Sequence, residues 1–309
     1  MSRAWIRPRG LRAGDHIGVC APSGPVDPER LARGVARLEA LGFEVFVPES
    51  VRARTLFTAG TIEQRRDDLH ALVRAPDIAA ILCGRGGAGA SQLLRHLDAE
   101  LFGRHPKPFL GSSDATCLHL FWARLGIVSF HGPMVSMDLA KQECDAAQVL
   151  GPLMAGAGGS SFHDPPLRAL SPGRAEGRLV GGCLAILAAM AGTPWALETP
   201  EDAILFVEDV NEAPFRLDRT LRQLIDSGAT QGVRGVVFGE MLGCEPPDAA
   251  GYSLIEVLLD AVGELNVPVA FGLPSGHTKG IGATVPLGVR ARLTCGDTAR
   301  LEVLEPAVS

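Results

Sequence analysis

Apolar positions in the first half of the chain recur in two alternating rhythms. Residues 16–21 (HIGVCA) form a short apolar run that ends in Pro22-Ser23-Gly24, a strand followed by a turn. Residues 28–41 place Leu31, Val35, Leu38 and Leu41 on one helical face, with Asp27 as a cap, Pro28 at the first position and Gly42 as the stop. The alternation continues with a strand over 43–47, a helix over 62–73 and a buried strand over Ile78–Cys83 that opens into GRGGAGA. A helix over 91–97, a strand over 108–110, a helix over Thr116–Leu125 and a strand over 127–130 complete it. Short connections between alternating strands and helices predict a parallel sheet covered on both faces.

Residues 151–175 break the pattern, being rich in Gly, Pro and Ser and without periodicity, which predicts a linker or mobile loop between domains. Beyond them the sequence predicts strands over 176–180, 203–207, 235–238 and 267–271, with helices over 183–191, 219–227 and 254–265. Two final strands, 289–294 and 299–304, flank Cys295-Gly296-Asp297, a hairpin signal. The expected organisation is therefore an α/β domain over 1–150, a linker over 151–175 and a smaller mixed α/β domain over 176–309.

Composition adds exclusions. Glycine (37) and proline (22) together make 59 of 309 residues, loop-rich but short of a low-complexity chain. No apolar run reaches membrane-spanning length, and the opening MSRAWIRPRGLRAGDHIG has no signal-peptide stretch, so a soluble cytoplasmic protein without membrane contact is expected. Residues 1–150 carry 18 Lys/Arg against 16 Asp/Glu, and residues 151–309 carry 11 against 19. Neither half has the basic, aromatic-interleaved stretch of a nucleic-acid binder. Seven scattered cysteines without a C-x-x-C pair predict buried free thiols rather than disulfides or a metal site.

The sharpest chemical feature is Gly111-Ser112-Ser113-Asp114-Ala115, between a strand and a helix. A nucleophile elbow needs small residues two before and two after its nucleophile. Centred on Ser113 these are Gly111 and Ala115, whereas centred on Ser112 they are the bulkier Leu110 and Asp114. The same serine or Asp114 would serve equally as a plain helix cap. Gly84–Gly89 satisfies G-x-G-x-x-G, the pattern of a dinucleotide loop, but the expected acid about 20 positions on is replaced by Pro108-Phe109-Leu110. Its glycine amides would otherwise suit an oxyanion hole beside a nucleophile. Among eight histidines, His131 and His277 lie at strand ends or in loops, where bases collect. Glu208 follows the apolar strand Ile204-Leu205-Phe206-Val207, with Asp209, Glu212 and Asp218 as competing acids.

Taken together, these segments resemble the LD-carboxypeptidase family of serine peptidases, which includes the microcin-immunity peptidases. The resemblance rests on Ala21-Pro22-Ser23, Ala59-Gly60 with Arg65, Arg85-Gly86-Gly87, Gly111-Ser112-Ser113-Asp114, His131-Gly132-Pro133-Met134, Gly181-Gly182, Gly192-Thr193-Pro194, Phe206-Val207-Glu208-Asp209, Arg216-Leu217-Asp218-Arg219 and Gly276-His277. It implies a flavodoxin-like N-terminal domain carrying Ser113 as nucleophile, and a smaller C-terminal domain carrying His277 as base and Glu208 as its orienter. It further implies an oxyanion hole from the Gly87 and Asp114 amides, no cofactor or metal, and a cytoplasmic homodimer. The implied reaction is release of terminal D-alanine from a murein tetrapeptide during cell-wall recycling. The alternatives are a microcin-type peptidase acting on a peptidyl or aminoacyl nucleotide, or a nucleotide-binding protein using Gly84–Gly89. Residues 151–175 contain no tryptophan of the kind that stacks adenine in the microcin-type members. The family's usual aromatics after Arg-Gly-Gly and before the nucleophile are Ala88 and Ser112 here, and its Gly-Gly-Asn is Gly181-Gly182-Cys183. Arg85 is a candidate partner for a substrate's terminal carboxylate.

Overall fold

The computed structural model describes residues 4–156 and 161–309. Its first half alternates as the apolar pattern predicts: β1 (His16–Cys20), α1 (Pro28–Glu39), β2 (Glu44–Phe46), α2 (Ile62–Arg74), β3 (Ile78–Cys83), α3 (Ala99–Arg104), β4 (Phe109–Gly111), α4 (Thr116–Leu125) and β5 (Ser129–His131). The Asp27 carboxylate accepts from the Arg30 amide at 2.9 Å, and Pro28 opens α1, which buries Leu31 and Leu38. The five strands lie parallel in the order β2-β1-β3-β4-β5, the doubly wound, flavodoxin-like arrangement. In such a sheet ligands gather where strand order reverses, outside the carboxyl ends of the strands. Here the reversal lies between β1 and β3, whose following loops carry Pro22-Ser23 and Gly84–Gly89.

The second half contains α5 (Ala146–Leu150), β6 (Ser161–Ser171), β7 (Gly173–Cys183), α6 (Leu184–Met190), β8 (Ala203–Glu208), α7 (Pro214–Asp226), β9 (Val233–Gly239), α8 (Leu254–Val262), β10 (Val269–Leu273), β11 (Val285–Leu287), β12 (Arg290–Cys295) and β13 (Ala299–Val303). Seven of these strands close into a barrel in the order β10-β6-β13-β12-β7-β8-β9. Strands β7 to β10 are parallel neighbours, and the expected β12–β13 hairpin pairs Cys295 with Ala299. Helices α6, α7 and α8 cover the barrel's parallel side through Leu187, Leu217, Leu221, Leu224 and Leu258.

The structure differs from the sequence pattern locally, beginning with α7, which opens at Pro214 in its first turn rather than at 219. Strand β6 occupies the middle of the segment expected to be a linker or loop, 151–175, and residues 157–160 of that segment lie outside the described residues. Its hydrophobic alternation is interrupted at Pro165-Pro166, which cannot donate to a ladder; the register with β13 jumps from Ala299–Leu167 to Leu301–Phe162 across them. The helix expected over 91–97 is two separate 3₁₀ turns, Ala90–Gln92 and Leu94–His96. Strand β11, unexpected at three residues, leaves the second half and pairs antiparallel with β5, matching Val285 to His131. That crossing ties the barrel to the first sheet beside the site described next. All seven cysteines are buried and free. No helix among the described residues is long and apolar enough to cross a membrane.

Candidate active site

The first component is local to one turn. Strand β4 ends at Gly111, Ser112 is extended, and Ser113–Ala115 forms a 3₁₀ turn that runs directly into α4. Ser113 takes a left-handed backbone with φ +60°, unusual for a residue with a side chain and the strain expected of an elbow nucleophile. It is half-buried while Ser112 and Asp114 on either side are buried. A Cβ placed on Gly111 would lie 3.0 Å from the Ala115 Cβ, so the small pair that singles out Ser113 is a real close approach of strand to helix. The Gly111 carbonyl is held by His119 Nε2 at 2.9 Å, and His119 Nδ1 meets Ser129 Oγ at 2.9 Å. Burial, aided by the neighbouring His131 imidazole, pulls the His119 pKa down to about 3, so this histidine is a neutral structural post.

The glycine loop packs against that turn. A Cβ on Gly86 would sit 2.8 Å from Ser113 Cβ and 2.9 Å from its Oγ, leaving room for nothing larger than glycine. The loop is anchored from three directions. The Gly24 amide donates to the Gly86 carbonyl at 3.1 Å, the Ala90 amide donates to Asp114 Oδ2 at 2.8 Å, and Arg65 Nη1 donates to the Gly89 carbonyl at 2.9 Å and the Pro22 carbonyl at 2.6 Å. Burial raises the Asp114 pKa and lowers that of Arg65, although each is the other's nearby counter-charge. The side chain of Asp114 is thus committed to holding the loop, while its amide lies beside Ser113. Gly87, at φ +119°, is exposed on the same loop. Arg85 Nη1 donates to the Pro25 carbonyl at 3.2 Å, and its Nε is buried with no acceptor among the described residues.

The second component comes from the barrel. Along β8, Ile204 and Phe206 face the core that includes the barrel interior, whereas Ala203, Leu205 and Val207 face α6, α7 and α8. Period-two alternation therefore sends Glu208 to the Phe206 side and Asp209 to the helix side. Asp209 Oδ2 accepts from the Ala185 amide at 2.8 Å at the start of α6, and its Oδ1 accepts from the Val210 amide at 2.9 Å. Glu212 pairs with Arg216 at 3.6 Å and Asp218 with Arg222 at 2.8 Å. Of the four candidate acids, Glu208 alone reaches a candidate base. Its Oε2 accepts from the His277 amide at 3.0 Å and meets His277 Nδ1 at 2.8 Å.

The electrostatics of this pair follow from its setting. Burial would raise the pKa of Glu208, but His131 and His277 outweigh it and hold the carboxyl down at about 2. Burial pulls His277 down, and the hydrogen bond and charge of Glu208, with Asp209 and Asp138 adding to them, more than reverse this, so its pKa lies above 6.5. The Glu208 side chain is 0% exposed and that of His277 29%, a buried orienter behind an accessible imidazole.

The two components meet across the β4–β5 edge and the barrel rim. Gly111 is in register with His131, and His131 Nε2 lies 3.6 Å from Glu208 Oε1. Thr116 Oγ1, one turn beyond Ser113, accepts from the Cys183 amide at 3.0 Å at the end of β7, whose register partner is Glu208. The His277 loop itself spans from β10 of the barrel to β11 of the sheet. Ser275 escaped sequence reasoning because no local pattern marks it, yet its Oγ lies 3.1 Å from His131 Nδ1. Among the described residues no cluster of three or more His, Cys, Asp or Glu could hold a metal ion.

Comparison with known proteins finds relatives over most of the chain. Residues 17–132 match the LD-carboxypeptidase N-terminal domain, and residues 176–293 match the LD-carboxypeptidase C-terminal domain. A probable murein peptide carboxypeptidase of Bacillus subtilis is 33% identical, over 98% of this chain and 95% of its own length. A microcin C7 self-immunity protein of Escherichia coli is 25% identical over 97% of this chain and 96% of its own. The crystal structure of muramoyltetrapeptide carboxypeptidase from Oxalobacter formigenes superposes with a TM-score of 0.83 at 32% identity, covering 94% of this chain and 99% of that one.

Proposed function

The chain belongs to the LD-carboxypeptidase family of serine peptidases, and on that premise we propose that it removes terminal D-alanine from murein tetrapeptide through a Ser113–His277–Glu208 triad. The observation that carries the reading is the Glu208–His277 pair, 2.8 Å apart and rooted in the barrel, tied by the β4–β5 edge to a strained serine elbow. The murein relatives named above support the substrate class. In this reading His277 Nε2 takes the Ser113 proton as Oγ attacks the carbonyl carbon of the L,D-bond. Negative charge gathers on the carbonyl oxygen, where the Gly87 and Asp114 amides stabilise it. The C–N bond breaks, His277 returns the proton to the departing D-alanine amine, and an acyl-enzyme remains. A water molecule then attacks the ester, gives a proton to His277 and frees the tripeptide as Ser113 is reprotonated.

Glu208 keeps the imidazole with its proton on Nδ1, leaving Nε2 as the base, and stabilises the imidazolium that forms. With its pKa held near 2 it stays ionised throughout the neutral range. The proposal also places the enzyme in cytoplasmic cell-wall recycling as a homodimer. Incubation with purified murein tetrapeptide and tripeptide tests it. Stoichiometric free D-alanine from the tetrapeptide and none from the tripeptide is the expected outcome; an inert tetrapeptide would remove the reading.

A further inference from the structure

The Glu208 carboxylate is satisfied on one side only. Both bonds from His277, the amide and Nδ1, fall on Oε2. Oε1 is buried without a hydrogen-bond partner among the described residues, and so is the atom that faces it, His131 Nε2, 3.6 Å away. Both side chains are 0% exposed, so water does not supply the missing bond. An ionised carboxylate is acceptor-only, which requires the His131 nitrogen facing it to carry a hydrogen. The other face of His131 is compatible with this. Its Nδ1 lies 3.1 Å from Ser275 Oγ, whose single proton has two acceptors in reach, that nitrogen and the His131 carbonyl at 3.3 Å; the clamp requires it to point at the nitrogen. Phe206 packs edge-on at 5.2 Å and fixes the ring plane. At 3.6 Å the two atoms are loosely placed, as catalytic hydrogen bonds often are in a free enzyme before substrate tightens them.

We infer that His131 is a positioning residue for the proposed triad: its Nε2–H clamps Glu208 Oε1, so that Oε2 is aimed at His277 and the carboxylate charge is shared between two imidazoles. This rests on the triad reading but concerns atoms that can be observed without substrate. The groups facing His277 are Glu208, Asp209 and Asp138; those facing Glu208 are His131 and His277; those beside His131 are Glu208 and the neutral His119, whose ring lies 5.8 Å away. Without the clamp, His277 is the one group left, among the described residues facing Glu208, to stabilise its charge. Its imidazolium is then favoured, and the His277 pKa rises further.

The test is nuclear magnetic resonance of the histidine rings in the full chain, with kinetics alongside. In the wild type, the long-range nitrogen spectrum should show His131 protonated on Nε2 at neutral pH; a bare Nε2 overturns the inference even if no variant folds. In His131→Leu the His277 titration should move to higher pH, and His131→Gln, which retains an N–H near the same place, should restore it. Ser275→Ala should produce a smaller shift in the same direction. An unmoved His277 midpoint in His131→Leu, or no restoration by glutamine, contradicts the clamp. In D-alanine release the leucine variant should lose roughly tenfold in kcat with KM little changed, the size of one hydrogen bond to a charged group, and its acid limb should move to higher pH. Should the wild type release no D-alanine, the carboxypeptidase reading fails while the ring spectra still decide the clamp.

Discussion

In the proposed triad the serine elbow and the acid–base pair are built by opposite means. The elbow is fixed by backbone: a strand end, a left-handed residue, a one-turn approach to α4 and a glycine loop that leaves no space for a Cβ. The acid–base pair is fixed by side chains, since Glu208 ends a barrel strand and His277 occupies a loop strung between barrel and sheet. A backbone-built component tolerates little change in side-chain volume nearby, whereas a side-chain-built component is sensitive to the removal of single polar atoms. Substitutions on the two sides should therefore fail differently.

After removal of the nucleophile itself, the largest effect is expected on the barrel side. Glu208→Gln keeps the volume but removes the charge that holds the His277 tautomer, and kcat should fall by roughly 10³- to 10⁴-fold. Asp209→Asn, one residue away on the opposite face, should instead lower thermal stability by weakening the start of α6 while activity stays within about tenfold, since a cap contributes on the order of 1 kcal/mol. If the asparagine variant loses as much activity as the glutamine variant, the parity argument along β8 is wrong. On the elbow side, Gly86→Ala puts a methyl against Ser113, and displacing a nucleophile by about 1 Å costs on the order of 10²-fold. Unchanged kinetics in that variant would show that loop and serine do not share the site.

The pH profile sharpens the contrast because the proposed base lies on the barrel side. His277 must be neutral to accept the Ser113 proton, so kcat/KM should fall as pH drops through its pKa, with a midpoint above 6.5. A midpoint below 6.5 would mean that burial of the imidazole outweighs its stabilisation by Glu208. The smallest expected effect is that of Arg85→Ala: a rise in KM of about tenfold with kcat nearly unchanged, if the guanidinium meets the substrate carboxylate. An unchanged KM would leave Arg85 as a brace on the Pro25 carbonyl.

The same contrast explains what could be read from the sequence. The elbow was accessible because its information is local: Gly111, Ser113 and Ala115 lie within five residues, and α4 begins and ends where its periodicity predicts. The choice of Glu208 over Asp209 was not decidable locally. Strand β8 is buried on both faces, so its apolar run carries no alternation to say which way the next residue points. Strand β6 was hidden by its prolines and β11 by its length of three residues. The opposition of His131 to Glu208 depends on β5 meeting the barrel rim, a long-range packing outcome with no signature in either segment.

The most direct measurement of the central claim is D-alanine release from murein tetrapeptide by the wild-type protein and by Ser113→Ala, with peptide binding measured in parallel. The triad account predicts stoichiometric release by the wild type, and in the alanine variant a loss of roughly 10⁴- to 10⁶-fold with binding retained. Release by Ser113→Ala at a rate near that of the wild type would contradict it.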